Sequence, residues 1–149
     1  QEQGGNLIVK EQWLENPKWD IFVMLDSDAA LELSDAIINS KCVYVPYLGK
    51  NDHPADITNA RILKGCNAIN NYFKIDSLFI KDNVEYADPY DFEEEYLGVK
   101  LFKYEESLPM ELDENTQMYL YDTLVNTNLP ITQYNGDVYN AEGNNIVFY

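Results

Sequence analysis

Long apolar runs, cysteine, histidine and positive charge are all scarce in this chain, and each scarcity excludes something. No stretch approaches the roughly 18 apolar residues of a membrane span, and the residues after Gln1 carry neither the basic region nor the apolar run of a secretory signal. Cys42 and Cys66 are the two cysteines, without CxxC spacing or a histidine cluster. Neither a disulfide framework nor a zinc site is indicated, and a reducing cytoplasm is the expected compartment. The sequence contains no GxxxxGK[ST], GxGxxG or GxSxG, so phosphate-loop, dinucleotide and hydrolase-elbow chemistry lack their defining geometry. Lys and Arg number 10 against 26 Asp and Glu, a net charge of -16. Phosphate neutralisation supplies much of nucleic-acid affinity, so bulk charge alone argues against an RNA or DNA partner.

What is present argues for a folded domain. Of 149 residues, 46% are apolar and 13% aromatic, with 12 Tyr, far from the low-hydrophobicity signature of disorder. The acid is unevenly placed. Residues 1 to 64 hold 6 basic and 10 acidic groups, and residues 65 to 149 hold 4 basic and 16 acidic groups. The densest run, Asp82 to Tyr96, carries seven carboxylates and is expected to be a solvated loop.

The order of elements predicts an α+β fold. Asn6 to Gln12 and Trp19 to Leu25 are rich in β-branched and aromatic residues, with turn chemistry at Glu15-Asn16-Pro17 between them, so a hairpin is expected. Asp26-Ser27-Asp28 offers helix N-caps. Ala29, Leu33 and Ile37 then recur at helical spacing beside Ala30 and Ala36, until Asn39-Ser40-Lys41 closes the pattern. Cys42 to Val45 follows as a short strand. Strand, strand, helix, strand is the second half of a ferredoxin-like split arrangement, a partial half-sheet over residues 1 to 64. Residues 65 to 149 read as a β-rich C-terminal region of the same domain. Strands are expected at Phe73 to Lys81 and Val99 to Tyr104, flanking the acidic loop at 82 to 96. A late pair is expected at Ile131 to Tyr134 and Asn145 to Tyr149, with turn residues around Gly136 and Gly143. Asp113 to Leu124 fits neither the helical nor the strand period cleanly, and both remain open.

Chemistry-bearing residues are few. His53 is the sole histidine, in the polar loop Gly49 to Pro54. Together with Lys50 it has the functional groups of acid–base RNA cleavage, but a lone imidazole without a partner constellation is read as a contact residue. Adjacent acids such as Glu93-Glu94-Glu95 and Glu105-Glu106 sit in no recognisable metal loop, so no metal or other cofactor is expected. Tyr44, Tyr47, Tyr72, Phe73, Tyr119 and Tyr121 have the rings to stack on bases, although alternation within strands is expected to send most of them into the core.

One run of residues carries more. Gly4 to Gln12, Asn16-Pro17 leading into Trp19 to Leu25, the helix, and then Tyr44-Val45-Pro46-Tyr47-Leu48-Gly49 resemble the CRISPR-associated Cas family five. The resemblance is to its type I-B-like branch, in which such a tyrosine-proline-tyrosine-leucine-glycine run precedes a polar loop and a short strand matching Ala55-Asp56-Ile57. Weaker similarity extends through Leu108-Pro109-Met110 and Met118 to Tyr121 to the closing Asn145 to Tyr149. The resemblance implies a repeat-associated RNA-binding fold that holds the 5′ handle of the CRISPR RNA at the foot of a Cascade effector complex. It implies contacts with the large subunit and a backbone subunit, target DNA met only indirectly, and no membrane partner. It also implies a further strand and helix ahead of Asn6, the elements that complete the ferredoxin-like sheet. One branch of the family cleaves precursor RNA, but its catalytic residues match no motif here, so no enzymatic activity is expected. By position, the expected RNA or complex contacts are Tyr47, Lys50, Asn51 and His53 in the loop, with Arg61 and Lys64 as phosphate contacts. Two other readings fit the residues: a stand-alone acidic module or nucleic-acid mimic that binds a basic protein, and a metal-independent endoribonuclease acting on CRISPR RNA precursors.

Overall fold

A computed structural model describes residue 10 and residues 13–88 and 98–149. The chain divides into two compact units, Gln1–Lys41 and Cys42–Tyr149. Its described part is strand-rich and α+β, with one α-helix and antiparallel sheets.

In the first unit the helix α1 spans Asp28–Ile38. Of the three cap candidates Ser27 is the one used: it is extended, and its hydroxyl accepts the Ala30 N–H at 3.2 Å, satisfying one of the orphan donors of the first turn. The helix ends in a Schellman arrangement. Ser40 adopts φ +52, its N–H reaches the Ile37 carbonyl, and the Lys41 N–H reaches the Ala36 carbonyl at 2.8 Å, the paired bonds that close a helix on a left-handed residue. Asp35 gathers the end of the helix, accepting from the Asn39 amide at 2.6 Å and from Lys41 Nζ at 3.0 Å. Serine tolerates the left-handed conformation less well than glycine, so Ser40→Gly should stabilise this unit by roughly 1 kcal/mol, readable as a higher helix melting temperature. The half-buried residues of α1 are Ala30, Ser34, Ala36 and Ile37, whereas Ala29 and Leu33 of the expected stripe are exposed.

The expected half-sheet differs in its strands. Trp19 to Leu25 and Cys42 to Val45 carry no strand pairing. Exposure still alternates from Ile21 to Leu25, with Ile21, Val23 and Leu25 exposed and Phe22 and Met24 half-buried. The composition of a strand is there, but a strand forms only when a neighbour accepts its hydrogen bonds. The first expected strand, Asn6 to Gln12, lies outside the described residues except for Lys10.

Among its described residues the second unit has eight strands in three small antiparallel sheets. β1 (Asn67–Ile69), β7 (Val138–Ala141) and β8 (Asn144–Ile146) form one, in the order β1-β7-β8. β2 (Phe79–Ile80), β5 (Met118–Thr127) and β4 (Lys103–Asp113) form the second, in the order β2-β5-β4. β3 (Val84–Tyr86) pairs with β6 (Ile131–Tyr134). Each sheet is too small to be stable alone. Their inner faces meet in one cluster of Ile75, Phe79, Val125, Ile131, Tyr134, Val138 and Val147. The Phe79 and Tyr134 rings meet edge to face at 6.0 Å, a favoured aromatic geometry.

Several expectations are corrected here. Phe73 to Lys81 is a strand only at Phe79–Ile80. The residues before it lie against β8 through one backbone bond, Asp76 N–H to the Asn145 carbonyl, and through side chains in place of further ladder bonds: Asn145 N–H donates to the Asp76 carboxylate, Val147 N–H to the Ser77 hydroxyl, and the Asn145 amide to the Lys74 carbonyl. The Asp76 and Ser77 side chains thus accept backbone N–H groups 69 and 70 residues away, where a regular ladder would use carbonyls. The strand expected over Val99 to Tyr104 begins at Lys103 and continues to Asp113, because Asn128 takes both the Phe102 N–H and the Lys100 carbonyl upstream. Of the expected acidic loop, Val84–Tyr86 is a strand bound to β6, while residues 89–96 lie outside the described residues. Ile131–Tyr134 is a strand as expected. It pairs with β3 rather than with the C-terminal segment, whose strand, Asn144–Ile146, pairs with β7.

Asp113 to Leu124, open on periodicity, is the turn of a long hairpin and most of its second strand. Asp113 holds that turn: its carboxylate accepts the Asn115 N–H at 2.8 Å, its carbonyl accepts the Gln117 N–H, and Gln117 adopts φ +56. The N–H donors of Asn115 and Thr116 hold the Asp113 carboxyl below its usual range. A carboxyl depressed in the folded state contributes order that is complete above its unfolded pKa and lost as pH falls through the folded value. The Asn115 amide should therefore exchange faster as pH falls through that lowered value, relative to its intrinsic rate, and Asp113→Asn should remove this pH dependence.

Candidate functional site

The polar loop after Tyr44 is closed by backbone geometry. Tyr47 and Pro54 form an antiparallel bridge, flanked by Ala55 N–H to Pro46 C=O and Leu48 N–H to His53 C=O, both 2.8 Å. Inside it, His53 N–H returns to the Lys50 carbonyl at 3.0 Å, making Lys50 to His53 a β-turn. Gly49 enters the turn at φ +76 with open space where a side chain would stand, a conformation that costs glycine little. Four of the six expected contact residues, Tyr47, Lys50, Asn51 and His53, thus lie on one small lobe. Tyr47, Lys50 and Asn51 are exposed and His53 is half-buried, its Nε2 3.7 Å from the Asp52 carboxylate. Tyr47 is not a core residue, with 53% of its surface accessible.

Arg61 and Lys64 belong to a second feature, an open cleft of about 440 Å³ walled by residues 61–66 with Asn140 and Glu142. Both basic residues are exposed. Their availability differs. The Arg61 guanidinium makes two hydrogen bonds to the Glu142 carboxylate and a third, 3.2 Å long, to the Asn59 carbonyl. Glu142 is placed for this by the β7–β8 turn, in which Glu142 and Gly143 both have positive φ, +53 and +89, the pattern of a type I′ hairpin. Glycine suits that turn and glutamate does not, so the turn presents its carboxylate at a local conformational cost. The turn is legible in the sequence as Glu142-Gly143. Its acid's partner, 81 residues away, is not.

Tyr119 and Tyr121, expected mostly in the core, are 59% and 63% exposed, and Tyr44 is 85% exposed. Tyr72 is half-buried against the core cluster, its hydroxyl accepting the Tyr134 N–H, whereas Phe73 is 38% exposed. Among the described residues no group of three or more His, Cys, Asp or Glu is placed to hold a metal ion, and no helix is long and apolar enough to cross a membrane. No family model matches the chain, and comparisons with curated proteins and with solved structures also find no match.

Proposed function

We propose that this chain is a non-catalytic subunit of a type I CRISPR effector complex, and that it contacts the 5′ handle of the guide RNA through the lobe Tyr47 to Pro54. The observation that carries the reading is the ordered run Tyr44-Val45-Pro46-Tyr47-Leu48-Gly49 with Ala55-Asp56-Ile57, whose intervening polar residues stand outward on a backbone-closed turn. An exposed tyrosine beside a lysine and an asparagine suits single-stranded RNA, which is commonly held by stacking and phosphate contacts together. A ferredoxin-like fold and a cytoplasmic location belong to the same proposal. His53 then serves as a contact residue; it stands near Asp52 in a turn, without a second imidazole in the chain.

In a reconstituted complex, Lys50→Ala combined with His53→Ala should weaken affinity for a handle-bearing guide by roughly ten- to a hundredfold, as expected for losing one or two charge-assisted contacts. Unchanged affinity would remove the lobe from the RNA site. Arg61 offers a second arm. If it is a phosphate contact held in reserve by Glu142, Glu142→Gln should tighten guide binding and Arg61→Ala should weaken it.

The net charge of -16 favours a second reading, an acidic module or nucleic-acid mimic that occupies a basic protein surface. Co-purification separates the two. A complex subunit brings down guide RNA in stoichiometric amount, whereas a mimic brings down protein and releases it as salt rises. A metal-independent endoribonuclease would instead cut a repeat hairpin in the presence of a chelator.

A further inference from the structure

The β4–β5 hairpin leaves the core at its base and runs outward uncovered. Leu124 and Val125 are buried, but Met118, Tyr119, Leu120 and Tyr121 nearer the turn are all at least half exposed. The cross-strand register sorts these side chains by face. Leu112 opposite Tyr119 and Pro109 opposite Tyr121 make one face apolar and aromatic. Asp113 opposite Met118, Glu111 opposite Leu120 and Leu108 opposite Asp122 make the other face apolar and acidic. From Tyr104 to Leu124 the ribbon has six carboxylates and no Lys or Arg. Among the described residues only Glu105 of these acids has an ion pair, with Lys81 and Lys103.

The two outer edges are unequal. The outer edge of β4 is interrupted by Pro109, which has no N–H, and by a register shift between Pro109 and Glu111, both devices that blunt an edge strand. β5 is lined on its other side by β2, but only opposite Leu124 and Val125. Among the described residues no strand pairs with it from Met118 to Asp122 on that side. An open strand edge with exposed aromatic and apolar side chains is a template for another strand.

We propose that the outer edge of β5, Met118 to Asp122, is a docking site for an extended basic segment of a partner protein, which adds to the sheet as a further strand. The period of two in a strand dictates the partner's pattern. Its apolar side chains would lie beside Tyr119 and Tyr121, and its lysines or arginines would alternate with them on the face of Glu111, Asp113 and Asp122. Charge excludes the other occupants: a nucleic acid would bring phosphates against uncompensated carboxylates, and a second copy of this chain would double the acid. The inference does not rest on the guide-RNA reading.

Titrating the full chain into a labelled peptide that alternates lysine with valine tests it by fluorescence anisotropy. Three controls accompany it: the same residues in two blocks, the peptide with glutamate for lysine, and a single-stranded RNA oligonucleotide. The alternating peptide should bind, slow hydrogen exchange at Met118 to Asp122, and dissociate as salt rises. Tyr119→Ser with Tyr121→Ser should weaken it about tenfold or more, the loss typical of aromatic anchors. Glu111→Gln with Asp122→Asn should weaken it and flatten the salt dependence. All four substituted positions are on the outward part of the hairpin, so an unchanged melting temperature confirms the fold. The Lys50→Ala, His53→Ala chain should bind the peptide normally. Absence of binding, equal binding of the block or glutamate peptide, indifference to the tyrosine changes, or displacement of the peptide by the RNA would each overturn the proposal.

Discussion

Phe79→Ala should lower the unfolding free energy by about 3–5 kcal/mol, the usual cost of emptying a buried aromatic site. Phe79 has no accessible surface and lies at the junction of the second unit. It pairs with Val125 in one sheet and meets the Tyr134 ring of another edge to face. The substitution removes the transfer free energy of the ring and leaves a cavity between sheets too small to stand separately. Domains are stable by only about 5–15 kcal/mol, so this one side chain accounts for a large share. Urea denaturation should show a lower midpoint with an unchanged slope, because the surface exposed on unfolding is nearly the same. Leu112→Ala, on the exposed outer ribbon, is the matched control and should move the midpoint little. A Phe79→Ala loss as small as that of Leu112→Ala would mean that the three sheets do not share one core.

Val138→Asp should be more damaging still, and its damage should depend on pH. Val138 is 1% exposed, opens β7 opposite Ile69, and belongs to the same cluster, whose members include no basic group to pair with a carboxylate. A buried carboxylate without a partner costs several kcal/mol or is forced to stay protonated. Burial raises the folded-state pKa above the unfolded value. The sign then follows: the penalty is least below the unfolded pKa and grows as pH rises toward the raised folded pKa. The variant should therefore lose its cooperative transition at neutral pH and recover part of it in mild acid, whereas Val138→Ala should be weakened equally at both. Equal loss for Asp at both pH values would show that the site admits water.

The features readable in advance are those decided within a few residues. Helix α1 is signalled at both ends, by Ser27 among the cap candidates and by Asn39-Ser40-Lys41 at the close, because capping satisfies local orphan groups with local side chains. Ile131–Tyr134 and the polar lobe after Tyr47 are legible for the same reason; β-branched composition and turn residues act at short range. The strand partners are not legible. Ile131–Tyr134 is expected to pair with the C-terminal segment, and its pairing with Val84–Tyr86 instead rests on contacts 45 to 50 residues away. Asp113 to Leu124 fits neither period because it spans a turn and a strand that is buried only at its far end, so neither face is apolar along its whole length. Nor could spacing reveal that Arg61 is engaged by Glu142, since that ion pair depends on a turn far along the chain.

The sequence by itself determined the helix and its caps, the turns around Gly136 and Gly143 and in the Gly49 to Pro54 loop, the strand-forming composition, the -16 charge and the run of motifs around Tyr44 to Ile57. Tertiary structure alone decided which strands pair, that Trp19 to Leu25 and Cys42 to Val45 remain without a ladder among the described residues, and that Tyr119 and Tyr121 face outward. The physical reason is the range of the interactions. Caps and turns satisfy hydrogen bonds within a few residues. Strand identity, by contrast, depends on a partner that sequence patterns do not name, and on whether enough apolar surface meets to hold the pairing.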